Sequence, residues 1–116
     1  DTHGNHDAQH IPRLAQILDG IDFLVTETDM HGLSDRFVLL VGSDFGRTPG
    51  YNDTQGKDHW AITSVMMMGK GIGGNKVIGE TDERHNTFSV DPKTLQKSDS
   101  GIHIEPRHLH DNLRKL

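Results

Sequence analysis

Hydrophobic residues near the start of the chain recur at alternating steps of three and four positions. They are Ile11, Leu14, Leu18, Ile21 and Val25. This spacing places them on one stripe of an amphipathic helix. Pro12 is tolerated in a first helical turn, Gly32 suits the position just after a helix, and Gly20 weakens the middle. We therefore predict a helix from about Pro12 to Gly32.

The next hydrophobic segment is continuous rather than periodic. Residues 37–41 are apolar at every position, which is typical of a strand covered on both faces in a parallel sheet. A helix followed by such a strand indicates half of a βαβ unit. The sequence therefore predicts an α/β fold with a mostly parallel sheet and flanking helices. Such sheets bind ligands at the carboxyl ends of their strands, so residues 42–50 form a candidate ligand loop.

The rest of the chain is more polar. Residues 64–68 predict a second short buried strand, and the glycine-rich residues 69–75 predict turns. Residues 76–79 suggest a short edge strand, and residues 80–101, which lack periodicity, a surface excursion. A terminal helix is expected from Pro106 onward, because leucines there recur at helical spacing: Leu109, Leu113 and Leu116.

Composition and charge exclude several functions. With 17 acidic and 12 basic residues, a net charge of −5 and no basic run, the chain is not expected to bind nucleic acid. The absence of cysteine excludes disulfides, thiolate metal sites and cysteine nucleophiles, but leaves the compartment undecided. No apolar run approaches the roughly 18 residues that a membrane helix needs. Residues 69–74 lack the Ser or Thr of a phosphate-binding loop, and no Gly-x-Ser-x-Gly motif supports a serine nucleophile.

Nine histidines are candidate ligands or bases. Five are expected to be structural: one suits a helix C-terminus, two lie on different faces of the terminal helix, and two lack an acidic partner. In that order they are His31, then His108 and His110, then His85 and His103.

The opening segment combines oxygen and imidazole donors, a mixture that zinc or manganese accepts. Its donors are Asp1, His3, Asn5 and His6. The alternative is an N-cap region, in which Asn5 or Asp7 satisfies the free amides at the start of the helix. The spacing leaves both interpretations open.

Two later segments offer further ligands. Asp44 follows the predicted buried strand, and Arg47 has the planar guanidinium that suits phosphate or sulfate oxygens. Asp58 and His59, beside Trp60, are either metal ligands or a surface pair next to a partly buried ring.

Four motifs in order resemble those of a large bacterial family known only as a domain of unknown function, related to the alkaline phosphatase/sulfatase superfamily. They are residues 1–5 (DTHGN), 43–49 (SDFGRTP), 56–60 (GKDHW) and 71–74 (GIGG). Residues 101–106 (GIHIEP), followed by a leucine-rich helix, resemble the close of that family. Because the chain opens at Asp1, inside the first motif, we expect residues 1–116 to be the C-terminal part of one larger domain.

The resemblance implies a divalent metal site. Its ligands would be Asp1, His3, Asp44 and His59, with zinc or manganese as the metal and calcium as a further option. Phe45 stands where the better-known enzymes of the superfamily place a second histidine, and Asp44 replaces the usual Glu. The nucleophile of those enzymes belongs to an N-terminal half outside this sequence. A periplasmic or secreted location is also implied.

Two functions follow from the resemblance. The first is metal-dependent hydrolysis of a small anionic phosphate or sulfate ester, with residues 1–116 carrying part of the metal site and Arg47 as the catalytic residue that steadies the anionic oxygens. The alternative is a non-catalytic binding or assembly protein on the same scaffold, with a degraded or structural metal site. The sequence does not indicate the oligomeric state.

Overall fold

The computed structural model describes residues 1–115 and combines two helices with small antiparallel sheets, an α/β arrangement in the general sense. The chain divides into two compact units, one of Asp1–Ile72 and one from Gly73 onward. No helix of the described residues is long and apolar enough to cross a membrane.

Helix α1 (His6–Met30) begins earlier than predicted, so Pro12 lies inside it. Proline has no N–H, and the carbonyl four residues before it therefore lacks its helical partner. The helix ends as predicted: Gly32 adopts a positive φ of 65°, and Leu33 N–H donates to the Thr28 carbonyl at 2.7 Å. Four residues of the predicted stripe are exposed and Ile21 is half-buried.

The strands of the first unit are antiparallel. β1 (Val38–Val41) pairs with β4 (Met66–Gly69), and β2 (Gly46–Arg47) pairs with β3 (His59–Trp60). The expected parallel pairing is absent from the described strands, and β1 is only partly covered. A parallel neighbour needs a crossover connection, usually a helix. The segment between β1 and β4 contains β2 and β3 instead, and it returns the chain antiparallel to β1.

The second unit contains one predicted helix and an unpredicted set of bridges. Helix α2 (Pro106–Leu113) begins at Pro106, and Glu105 and His108 cap it reciprocally. Residues 76–79 do not form the expected edge strand. Within residues 80–101, predicted as a surface excursion, Val90 is buried and bridges to Lys97 and to Ile102.

The buried residues differ between the two units. Within residues 1–115, the buried hydrophobic side chain is Val90, in the second unit. The first unit buries Thr2 and His6, which are polar. Apolar side chains of α1 such as Phe23 and Met30 stay exposed. The first unit is therefore organised around polar contacts near the start of the chain.

Candidate functional site

The β2–β3 ladder places two of the predicted site residues opposite each other. Arg47 pairs with His59, and Gly46 pairs with Trp60. Residues directly opposite in an antiparallel pair project from the same face, so Arg47 and His59 are neighbours. A Cβ at Gly46 would collide with the Ile62 carbonyl, so this close approach requires glycine.

The opening segment lies against the loop before β3. Lys57 N–H donates to the Thr2 carbonyl at 3.0 Å, and Gly4 bridges to Gln55. A Cβ at Gly56 would overlap the His3 carbonyl, so only glycine allows the two backbones to approach this closely. These contacts join residues about fifty positions apart and bring His3 to the β2–β3 ladder.

His3 consequently lies beside both Arg47 and His59. The His3 and His59 ring centroids are 4.8 Å apart, and Arg47 Nη1 is 3.3 Å from His3 Nε2. Arg47 is held from the other side, because Nη1 also donates to the Lys57 carbonyl at 3.0 Å. Three segments of the chain thus supply one cluster.

Asp1 completes this cluster and determines the hydrogen-bonding roles of His3. The Asp1 carboxylate contacts His3 Nδ1 and lies 3.4 Å from Arg47 Nη2. A carboxylate only accepts hydrogen bonds, so its contact with His3 is satisfied when Nδ1 carries the proton and Nε2 does not. Arg47 Nη1 lies alongside both ring nitrogens, 3.3 Å from Nε2 and 3.5 Å from Nδ1. An imidazole that is oriented by a carboxylate and has an unprotonated Nε2 is the arrangement of a general base.

Phe45 packs on the outer side of the cluster. Its ring stacks on His59 with centroids 3.7 Å apart and an interplanar angle of 25°. The Arg47 guanidinium carbon lies 5.4 Å from the Phe45 ring centroid. Phe45 therefore supports His59 and Arg47 by packing.

The expected metal ligands converge only in part. Asp1, His3 and His59 lie around Arg47, whereas Asp44 is exposed in the turn before β2 and forms no hydrogen bond or ion pair with them. In the part of the chain that the structure describes, no three His, Asp or Glu side chains are arranged to hold a metal ion. The Arg47 guanidinium lies beside both Asp1 and His3.

Behind the cluster lies a buried imidazole that the sequence suggested as a ligand. His6 Nδ1 is 2.9 Å from the Thr2 hydroxyl, and the ring stacks on His10 with centroids 4.6 Å apart. Burial, with smaller contributions from the positive charges of His10 and Lys57, lowers the pKa of His6. His6 therefore packs at the start of α1 in a structural role.

Tyr51 and the loop after it were not anticipated. The Tyr51 hydroxyl donates to Asp7 Oδ1 at 2.7 Å, and this hydrogen bond raises the pKa of Tyr51. A cavity of about 390 Å³ opens beside this pair, away from Arg47. Asn52 and Thr54 contact His3 directly. The sequence signal for this loop was the spacing Asn52-x-Thr54-x-Gly56, which is typical of a side-chain-capped turn.

The comparisons with known proteins complete the description of the site. No curated protein and no solved structure matches the chain. A family model described as "Protein of unknown function (DUF1501)" matches residues 1–99, which include Asp1, His3, Arg47 and His59. The chain therefore belongs to the DUF1501 family, the protein family of unknown function that this model defines.

Proposed function

We propose that this protein hydrolyses small phosphate or sulfate esters and binds their anionic group at the Arg47 cluster. The observation that supports this most directly is the mutual contact of Asp1, His3 and Arg47. It combines an oriented imidazole with a guanidinium that is only 19% exposed, next to a second imidazole from His59. General-base and anion-binding groups in contact are what ester hydrolysis requires.

The proposed hydrolysis follows from which atoms of the cluster donate hydrogen bonds and which accept them. An incoming ester oxyanion competes for the Arg47 N–H groups that face His3 and Asp1, because a charged oxyanion is a stronger acceptor than neutral imidazole. His3 Nε2 is then free to take a proton from an attacking water. The water oxygen bonds to phosphorus or sulfur, the ester P–O or S–O bond breaks, and the proton passes to the leaving alkoxide. Asp1 holds the imidazole in the required tautomer throughout.

Zinc or manganese, or alternatively calcium, enters the proposal through the family resemblance, together with a parallel alkaline-phosphatase-like sheet and a periplasmic or secreted location. The ligand set would be Asp1, His3, Asp44 and His59. The side chains as arranged do not fit a coordination shell, since Asp44 forms no hydrogen bond or ion pair with the others and the Arg47 cation adjoins Asp1 and His3. The proton transfers above therefore involve side chains alone.

A second candidate function is the binding of anionic ligands without turnover. The stacking of Phe45 on His59 favours it, because this ring fills a position where related enzymes supply a ligand. A binding protein would need Arg47 but would not need the acid–base function of His3. This difference separates the two candidates experimentally.

The test compares Arg47→Ala, His3→Gln and the control Arg13→Ala, which alters an exposed arginine on α1 that bonds only locally to Gln16. Aryl phosphates and aryl sulfates are the substrates, and phosphate or sulfate binding is measured by calorimetry. For a hydrolase, we expect His3→Gln to lower kcat about 100-fold with anion binding retained. Arg47→Ala should lower both kcat and the affinity for the anion by a similar factor. Anion binding without turnover in the unmodified protein would select the second candidate.

Metal dependence is tested in parallel by metal analysis of the protein and of Asp44→Ala and His59→Ala, after exposure to zinc, manganese or calcium. The resemblance predicts bound metal that both substitutions remove. Unchanged metal content in both variants would show that the ligand assignment is wrong.

A further inference from the structure

Asn52 lies between the two segments that supply the histidines of the site. Its Oδ1 accepts hydrogen bonds from Gly56 N at 2.9 Å and from Thr54 N at 3.1 Å. Backbone N–H groups can only donate, so these two bonds identify which end of the amide is oxygen. The amide nitrogen therefore faces the opposite side.

That nitrogen donates one hydrogen to each of the two segments that supply the histidines. Nδ2 donates to the His3 carbonyl at 3.0 Å and to Asp58 Oδ1 at 3.0 Å. Asp58 immediately precedes His59. A single amide group thus connects the backbone of one histidine with the neighbour of the other.

We propose that Asn52 is a positioning residue of the ester site: its amide fixes His3 relative to β3 and so sets the contact of His3 Nε2 with Arg47. The inference rests on the proposed function. Thr54 Oγ1 supports the same carbonyl of His3 at 2.6 Å, so two side chains hold the backbone from which the candidate base extends. A displacement of about 1 Å at such a base can cost about 100-fold in rate.

Only an amide side chain at position 52 can both accept hydrogen bonds from the loop backbone and donate to the His3 carbonyl and Asp58. Aspartate keeps the acceptor for Gly56 and Thr54, but it loses both donors and places a second carboxylate beside Asp58. Leucine has a similar size and loses every hydrogen bond. Asn52→Asp therefore separates the loop-forming role of the side chain from its positioning role, whereas Asn52→Leu removes both.

The experiment measures kcat and KM on an aryl phosphate, amide exchange at Gly56, and the NMR contact between the His3 and His59 rings. For Asn52→Asp we expect protected Gly56 exchange, a weakened ring contact, and a kcat about 100-fold lower with KM changed little, because Arg47 is retained. Adding Asp58→Asn to Asn52→Asp restores a donor between positions 52 and 58. It should raise kcat about tenfold above that of Asn52→Asp alone.

The matched control is Asn86→Asp in the second unit, where the amide likewise donates to a carboxylate, Asp82 Oδ2, at 3.1 Å. It should leave kcat and the ring contact unchanged. If Asn52→Asp loses Gly56 protection, Asp58→Ala decides the question, because it removes the acceptor on the β3 side of the bridge and keeps the Asn52 bonds to the loop backbone.

Failure of the proposed function and failure of the positioning role give different experimental results. If the unmodified protein hydrolyses no ester, the proposed function fails, yet the ring contact still reports whether Asn52 positions His3. An unchanged contact between the His3 and His59 rings in a folded Asn52→Asp protein, or in Asp58→Ala, overturns the positioning role whether or not esters are hydrolysed.

Discussion

The two units of the chain place their histidines by contacts of different range. In the first unit, the side chains that hold the His3 carbonyl come from 49 and 51 positions away. In the second, the hydroxyls of Thr87 and Ser89 approach the His103 ring from 16 and 14 positions away. The polar cluster with candidate chemistry is thus the one assembled from distant segments.

The two units also differ in the kind of residue that they bury. The first buries polar residues, Thr2 and His6, and relies on the close approach of Gly56 to His3. The second buries Val90, with Gly101 against its backbone. Hydrogen bonds depend on direction as well as distance, whereas apolar burial is roughly proportional to area. The first unit should therefore respond to small geometric changes and the second to lost volume.

The largest effect should come from Gly56→Ala. The added methyl group overlaps the His3 carbonyl, and backbone on both sides must move. We expect a loss of about 3 kcal/mol in the free energy of unfolding, together with loss of the His3–Arg47 contact. Urea denaturation and NMR of the histidine rings provide the measurements. Gly50→Ala is the control, since its Cβ would meet nothing within 4 Å. Equal stability of the two variants would contradict the proposed close packing.

Val90→Ala should have the next largest effect. Removing part of the buried side chain of the second unit costs transfer free energy and leaves a small cavity, together about 2 kcal/mol. Amide exchange should accelerate at Ile102 and Lys97 and stay unchanged at Gly56. Val77→Ala is the matched control, because Val77 is 95% exposed. Faster exchange at Gly56 in Val90→Ala would show that the units are not independently stabilised.

Gly20→Ala should stabilise the first unit by about 1 kcal/mol. Glycine weakens a helix interior, and an added Cβ at this position meets nothing within 4 Å. The midpoint of urea unfolding should rise, and ester hydrolysis should not change. A destabilised Gly20→Ala protein would mean that this face of α1 is closely covered.

The smallest effect should be a different pH dependence of the two units. Burial lowers the pKa of His6 from 6.5, so its contribution to stability is present above that pH and is lost as the pH falls through the folded value. Hydrogen bonds from neighbouring N–H groups lower the pKa of Asp82 and of Asp91 from 3.8, so their contributions persist until the pH falls below that value. As the pH is lowered from 7 to 5, amide protection factors, which are corrected for the slower intrinsic exchange at lower pH, should fall in the first unit before the second. His6→Gln should remove the difference.

Local features of the structure could be predicted from the sequence. The predicted helices exist, and Gly32 and Pro106 mark the end of α1 and the start of α2 as expected. Such signals depend on backbone preferences within one or two helical turns. The motif order also indicated a family whose members are described only as proteins of unknown function, and the match over residues 1–99 shows that family.

Only the tertiary structure decided how distant segments meet. The apolar run at residues 37–41 is compatible with either strand direction, and the antiparallel choice depends on a β2–β3 ladder formed outside that run. The placement of His3 against Arg47 depends on backbone contacts across about fifty residues. The sequence determines which hydrogen-bond donors, acceptors and glycines the chain contains. Which donor meets which acceptor is decided by the tertiary structure, because the long-range contacts must satisfy these groups together.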